Sequence, residues 1–274
     1  MYDFSFGDKK NIKKNPEEYL LFVKRLLPRW ANGIPDTECL AIYKILEVLR
    51  NKNKNKKLVL LETGSGASSI AMFLHCALYG GKMFSWDTNA SKGSFLRTVV
   101  SESIGKTLGV DSNKIWNFIP YNSTDKHIGI SVLKELNQKA NFCFFDSLHT
   151  YDHVLAELKD FLKVCDKNYA LAFDDAYYTK KSVNYSYINM LRSKLNLKEI
   201  KEPKTNIIQA YYKEIEKYLF TKKIKYKKVE NFYKKNYKKD IFFQYYSQDR
   251  KFMNKMKMEE KSKLAHRLEV FLIN

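Results

Sequence analysis

Asp146 ends the short apolar run NFCFFD (141–146), Asp174 and Asp175 end YALAFDD (169–175), and His149 follows Asp146 by three residues. Read as strands of one parallel sheet, these runs carry three carboxylates to the carboxyl edge, where open α/β sheets bind ligands. Carboxylates gathered at one edge repel one another unless a cation joins them. Hard oxygen ligands with room for water suit Mg²⁺ or Mn²⁺ rather than zinc. Such an ion would hold an acceptor hydroxyl, lower its pKa and orient it. Asp146, Asp174 and Asp175 are therefore the candidate metal ligands. His149 and Asp146 are the candidate catalytic residues, His149 as the base, because an imidazole titrates near neutrality. The plainer readings are a helix-capping Asp146, a turn made by Asp174 and Asp175, and a packed His149 bonded to a carbonyl.

A second constellation lies in LVLLETGSGASSI (58–70). Gly64-Ser65-Gly66-Ala67-Ser68-Ser69 approximates G-x-G-x-x-G with Ser69 in the third glycine's place, between a predicted strand and a predicted helix. Asp87 ends the next apolar run 21 residues beyond Gly66, where an acid can accept both ribose hydroxyls of an adenosine. Glu62, two residues before the first glycine, separates two nucleotide classes. A carboxylate beside the turn repels the pyrophosphate of NAD and attracts the ammonium and sulfonium of S-adenosylmethionine. Glu62, Gly64, Ser65, Gly66, Ser68, Asp87 and Asp146 are the candidate cofactor contacts. An acid that merely caps the turn is the structural alternative for Glu62.

The elements that must hold these residues are legible as alternation. Candidate strands cover 58–62, 82–87, 114–121, 141–146 and 169–175, with helices near 67–78, 91–108, 125–139, 151–165 and 181–195. Right-handed crossovers make this a doubly wound, Rossmann-like α/β sheet. Ahead of it, Asn15-Pro16-Glu17-Glu18 starts a helix, with Asn as cap and Pro at the first helical position. A second helix starts at Asp36, with Leu40, Tyr43, Ile45, Leu46 and Leu49 on its apolar stripe, and NKNKNKK (51–57) is a polar loop. Beyond the sheet, 224–233 and 240–247 read as an antiparallel hairpin and 250–272 as a basic helix. The expected organisation is an N-terminal helical extension (1–57), a methyl-donor-binding domain (58–249) and a C-terminal helix (250–274). His127 and His153 are expected at the surface and Tyr151 in the core. Tyr177 and Tyr178 would line an acceptor pocket or cover the sheet edge.

Over 58–176 the chain resembles the class I S-adenosylmethionine-dependent methyltransferases. E-T-G-S-G-A-S-S stands as the cofactor loop, S-W-D-T as the ribose acid, and F-I-P-Y-N-S-T-D as the third-strand segment near the adenine. Within that class, F-F-D-S-L-H-T-Y-D followed by A-F-D-D-A resembles the metal-dependent O-methyltransferases of the macrocin type, which modify sugars on macrolides, as does the lead-in I-P-D-T-E-C-L-A-I-Y-K-I-L. Where those relatives read D-G-D-H-S-Y, this chain reads D-S-L-H-T-Y, so Leu148 replaces an acid. The resemblance implies methyl transfer from S-adenosylmethionine to a hydroxyl of a small molecule, a sugar or glycoside, with Mg²⁺ or Mn²⁺ holding the oxygen.

Composition bounds these readings. At 274 residues and 45% hydrophobic content the chain can bury a substantial core. No run reaches the roughly 18 apolar residues of a membrane span, and MYDFSFGDKK is too charged for a signal peptide, so a cytoplasmic location is expected. Cys39, Cys76, Cys143 and Cys165 are widely spaced without C-x-x-C and read as structural thiols. The net charge of +19 is concentrated late: residues 1–175 carry 24 basic and 20 acidic side chains, 176–274 carry 25 and 10. That tail could follow phosphates, which keeps RNA methylation as the alternative function. Only seven of the 49 basic residues are arginine, the side chain suited to bidentate phosphate and base contacts, which favours the small-molecule reading. An NAD-dependent oxidoreductase is a further alternative, opposed by Glu62. A homo-oligomer stays open.

Overall fold

The computed structural model describes residues 9–174, 183–201, 212–228 and 268–273. Two helices open the chain, α1 (Lys9–Lys14) and α2 (Pro16–Arg25). Pro16 stands at the start of α2 as its fixed φ dictates, but the Asn15 side chain makes no capping bond. The Asn15 backbone N–H donates to Asn11 O (2.9 Å) and continues the preceding turn. After a short 3₁₀ turn (Arg29–Ala31), α3 (Asp36–Lys52) buries Leu40, Tyr43, Ile45, Leu46 and Leu49, the stripe its periodicity requires.

Strands and helices then alternate: β1 (Leu58–Thr63), α4 (Ala67–Tyr79), β2 (Gly81–Trp86), α5 (Ala90–Val100), α6 (Lys106–Leu108), α7 (Ser112–Ile115), β3 (Trp116–Ile119), α8 (Val132–Glu135), β4 (Ala140–Phe145), α9 (Tyr151–Val164) and β5 (Cys165–Phe173). The helix expected at 91–108 is interrupted by a π turn, Ser101–Gly105. The helix expected at 125–139 shrinks to the single turn of α8. The Asp125 side chain accepts the amides of His127 (2.8 Å) and Ile128 (3.0 Å), offering the backbone an alternative to helical pairing. Gly129 then folds so tightly that a Cβ there would lie 2.4 Å from the carbonyls of Ser123 and Asp125.

Later come α10 (Val183–Lys194), α11 (Tyr212–Thr221), β6 (Tyr226–Lys228) and β7 (Glu269–Ile273). Among the described residues the strands form one sheet in the order β3-β2-β1-β4-β5-β7-β6, with β7 antiparallel to both β5 and β6. This corrects one expectation: Glu269–Ile273 is a strand rather than the end of a helix over 250–272, and among the described residues it pairs antiparallel with the strand near 226. Val270, Phe271, Leu272 and Ile273 are all buried, as a strand enclosed on both faces demands. The second arm of the expected hairpin, 240–247, and most of the basic helix lie outside the described residues, as do Tyr177 and Tyr178.

Side-chain alternation divides the core. Leu60, Phe142, Phe144, Ala170 and Ala172 pack with α2, α3 and α4 on one face; Leu61, Cys143, Phe145, Leu171 and Phe173 pack with α9 and α11 on the other. Cys39, Cys76 and Cys143 are buried free thiols, and Cys165 is half-buried and free. Among the described residues no helix is long and apolar enough to cross a membrane. The strand order reverses between β1 and β4, so a crevice opens beyond their carboxyl ends.

Candidate active site

Backbone bonds continuing the ladders aim the strand ends at that crevice. Gly64 N–H donates to Trp86 O (2.7 Å), Asp146 N–H to Thr63 O (2.8 Å), and Asp174 N–H to Phe145 O (3.0 Å). Gly64 has φ +85, and a Cβ there would sit 2.0 Å from the Asp146 carbonyl oxygen. The first glycine therefore lets the β1 turn and the β4 end touch, which no other side chain permits.

Glu62 is fully buried behind this turn. Its Oε1 accepts from Ser69 Oγ (2.5 Å) and Ser85 Oγ (2.6 Å), and its Oε2 accepts from Ser68 Oγ (2.9 Å). Ser85 in turn accepts from Trp116 Nε1 (2.7 Å), and Ser69 accepts the Gly66 amide (3.1 Å). The carboxylate thus locks the entry of α4 to β2, and Ser69, in the third glycine's place, caps that helix. Burial pushes Glu62 up to about 7; the three serine bonds oppose the shift and the Asp87 charge adds to it. An acid whose folded pKa exceeds its ordinary value of 4.5 supports folding below that value and loses the support as pH rises to about 7. Wild type is expected to lose on the order of 3 kcal/mol relative to Glu62→Gln across that window, at 1.36 kcal/mol per unit. Urea unfolding of both proteins at pH 4.5 and pH 8 measures it, and parallel curves would refute the burial of an ionisable Glu62.

Asp87 stands beside the same turn. Its Oδ2 accepts the Ser65 amide (2.9 Å) and its Oδ1 the Asn89 amide (2.8 Å). Among the described residues, the buried hydroxyls of Thr63 and Ser65 have no hydrogen-bond partner. The cradle at Gly64, these orphaned hydroxyls and the acid at the end of β2 fit an adenosine-bearing ligand laid across the turn.

On the β4 side, Asp146, His149 and Asp174 each present a ligand atom, all within 4.8 Å of one another. His149 Nε2 lies 3.4 Å from Asp146 Oδ1. Burial holds Asp146 well above the usual carboxylate range; the Asp174 charge raises it further and His149 lowers it. A divalent cation between the two carboxylates would offset their mutual repulsion. The two carboxylates, hard oxygen donors, fit Mg²⁺ or Mn²⁺, with His149 standing beside them. Asp175, the third expected ligand, lies outside the described residues.

Two expectations nearby are overturned. Tyr151 is 37% exposed rather than core, because the first turn of α9 emerges from the sheet edge. His153 is not a plain surface residue: its Nε2 lies 3.2 Å from the buried Glu157, and the hydrogen bond to that carboxylate raises the histidine pKa against the opposing effect of burial. Glu157 also accepts Ser147 Oγ (2.7 Å) and Ser123 Oγ, tying the turn after β4 to the loop after β3. His127 is exposed as expected, and Leu148 projects 57% exposed at the rim. Ser85, Ser147 and Glu157 were missing from the sequence reading. The hydroxyl in F-S-W-D, inside a buried strand, was the one available signal.

Residues 61–176 match the profile of the family described as "Methyltransferase domain". They form a class I S-adenosylmethionine-dependent methyltransferase domain. A candidate caffeoyl-CoA O-methyltransferase from Staphylococcus aureus is similar at TM-score 0.54 and 10% identity, over 97% of this chain and 98% of that one. An O-methyltransferase from Bacillus cereus in complex with S-adenosylhomocysteine gives 0.48 and 12%, over 80% and 88%. The O-methyltransferase TomG from Streptomyces achromogenes, involved in tomaymycin synthesis, gives 0.47 and 11%, over 84% and 92%. No curated protein matches the sequence significantly. At 10% identity the likeness at TM-score 0.54 shows the fold alone.

Proposed function

We propose that the protein transfers the methyl group of S-adenosylmethionine to a hydroxyl of a small molecule, a sugar or glycoside, with divalent-metal assistance. The observation that carries this reading is the Asp146–His149–Asp174 cluster at the switch point, against the Gly64 turn. Asp146 and Asp174, with Asp175, would hold the ion. When bound, Mg²⁺ or Mn²⁺ supplies Lewis acidity that lowers the pKa of an acceptor hydroxyl. Asp87 receives the ribose diol, and the Gly64–Gly66 turn, with Ser65 and Ser68, carries the methionine end. Glu62 fixes that turn from behind through Ser68, Ser69 and Ser85. His149, whose Nε2 lies 3.4 Å from Asp146 Oδ1, takes the hydroxyl proton as base. The oxygen–carbon bond then forms as the sulfur–carbon bond breaks, the electron pair leaving on sulfur. The choice of a sugar rests on the resemblance around Asp146 and Asp174.

The test is methyl transfer to a panel of glycosides, with and without a chelator, together with Mn²⁺ titration. Chelation should abolish turnover and Mn²⁺ should restore it. His149→Ala should cut kcat by roughly 10²–10⁴-fold, the contribution of a positioned base, with Mn²⁺ affinity retained. Full activity in chelator would refute the metal. Loss of Mn²⁺ affinity in His149→Ala would make the histidine a ligand instead of the base.

A further inference from the structure

Asp87 is nearly saturated before any ligand arrives. Besides the amides of Ser65 and Asn89, it holds Lys92, whose Nζ lies 2.7 Å from Oδ2, with side-chain exposures of 21% for the lysine and 10% for the acid. A carboxylate offers about four lone-pair sites, so roughly one is left, whereas a ribose diol brings two donors. Neither amide can withdraw. The Ser65 amide belongs to the turn fixed by Gly64 and Glu62, and the Asn89 amide to the cap of α5, where Asn89 Oδ1 accepts Lys92 N–H (3.0 Å). The movable donor is the lysine ammonium on its flexible stem. Lys92 also stands in the first turn of α5, where the positive end of the helix disfavours a cation, and Asp87 offsets that cost.

We propose that Lys92 occupies the ribose subsite of the free protein, is displaced by the cofactor diol, and so sets cofactor affinity by competing for Asp87. This rests on the assignment of Asp87 to the ribose made above. The lysine ammonium leaves for solvent as the 2′- and 3′-hydroxyls take its place, and the two amides hold the carboxylate in position throughout.

Calorimetric titration with S-adenosylhomocysteine and with its 2′,3′-dideoxy analogue, on wild type and Lys92→Met, tests the competition. Methionine keeps the apolar stem and removes the charge, and a thermal melt verifies that the variant is folded. Lys92→Met should bind S-adenosylhomocysteine roughly three- to fivefold more tightly, the scale of a partly exposed ion pair, and bind the dideoxy analogue as wild type does. Unchanged or weaker binding of S-adenosylhomocysteine by the variant overturns the proposal. Equal tightening for both ligands also overturns it, because the effect would then not pass through the diol. Wild type that binds no S-adenosylhomocysteine overturns the cofactor assignment itself, which separates that failure from failure of the lysine competition.

Discussion

Gly64→Ala should abolish measurable S-adenosylhomocysteine binding and destabilise the fold, whereas Gly66→Ala should fold almost as the parent does. At Gly64 the added Cβ meets the Asp146 carbonyl oxygen at 2.0 Å, a backbone atom with no flexible side chain to yield, and φ of +85 adds strain for any L side chain. The left-handed conformation alone costs about 1–2 kcal/mol, before the clash moves the turn away from β4. A total near 2 kcal/mol or above lowers Tm by roughly 4–8 °C in a chain of this size. At Gly66 the backbone is extended (φ −176), and the nearest atom to a Cβ is Ala31 O at 3.6 Å. The cost there is limited to a poorer helix cap, about 1 kcal/mol. Melting curves and calorimetry on the two variants read the contrast, and equal behaviour would mean that contact between the turn and β4 is not what shapes the site.

Asp146→Asn should remove turnover by about 10³-fold or more while raising thermal stability in metal-free buffer. Asp174 is buried and Asp146 is partly buried beside it; desolvation raises the Asp146 pKa first and the Asp174 charge adds to it, so an amide at position 146 removes both costs. The sign follows from linkage. A carboxyl raised in the folded state costs stability as pH rises, and the amide carries no such cost, so the stabilisation grows toward alkaline pH. Mn²⁺ should raise the Tm of wild type and leave that of Asp146→Asn nearly unchanged. Cofactor affinity should change little, because the turn is held by Gly64 and Glu62. A variant that is destabilised at pH 8, or that turns over normally, would contradict the shared-cation reading. Gains in stability with loss of function are the expected signature of strained functional carboxylates.

Much of this architecture was legible from local pattern. Asp87, Asp146 and Asp174 each end an apolar run, and apolar runs in a parallel sheet become buried strands whose ends face one crevice, so their convergence followed from the sequence. Glu62 was legible as an acid beside the turn, yet its bond from Ser85 depends on β2 lying next to β1, which spacing alone does not encode. The last strand was hidden by its surroundings. Val270–Phe271–Leu272–Ile273 is an apolar run that follows a long lysine-rich stretch, and that stretch suggested a helix continuing to the end. Helical phase misled at α9. Tyr151 lies in its exposed first turn, while His153 and Glu157, four residues apart, share the face that meets Ser123 and Ser147. At 125–139 the Asx bonds of Asp125 outcompeted helix propensity, a side-chain effect that apolar periodicity does not register.

Calorimetric titration of the full chain with S-adenosylmethionine and with NADH in parallel tests the central claim most directly. The account predicts saturable binding of S-adenosylmethionine, lost in Gly64→Ala, and no heat from NADH. Binding of NADH with none of S-adenosylmethionine would contradict it.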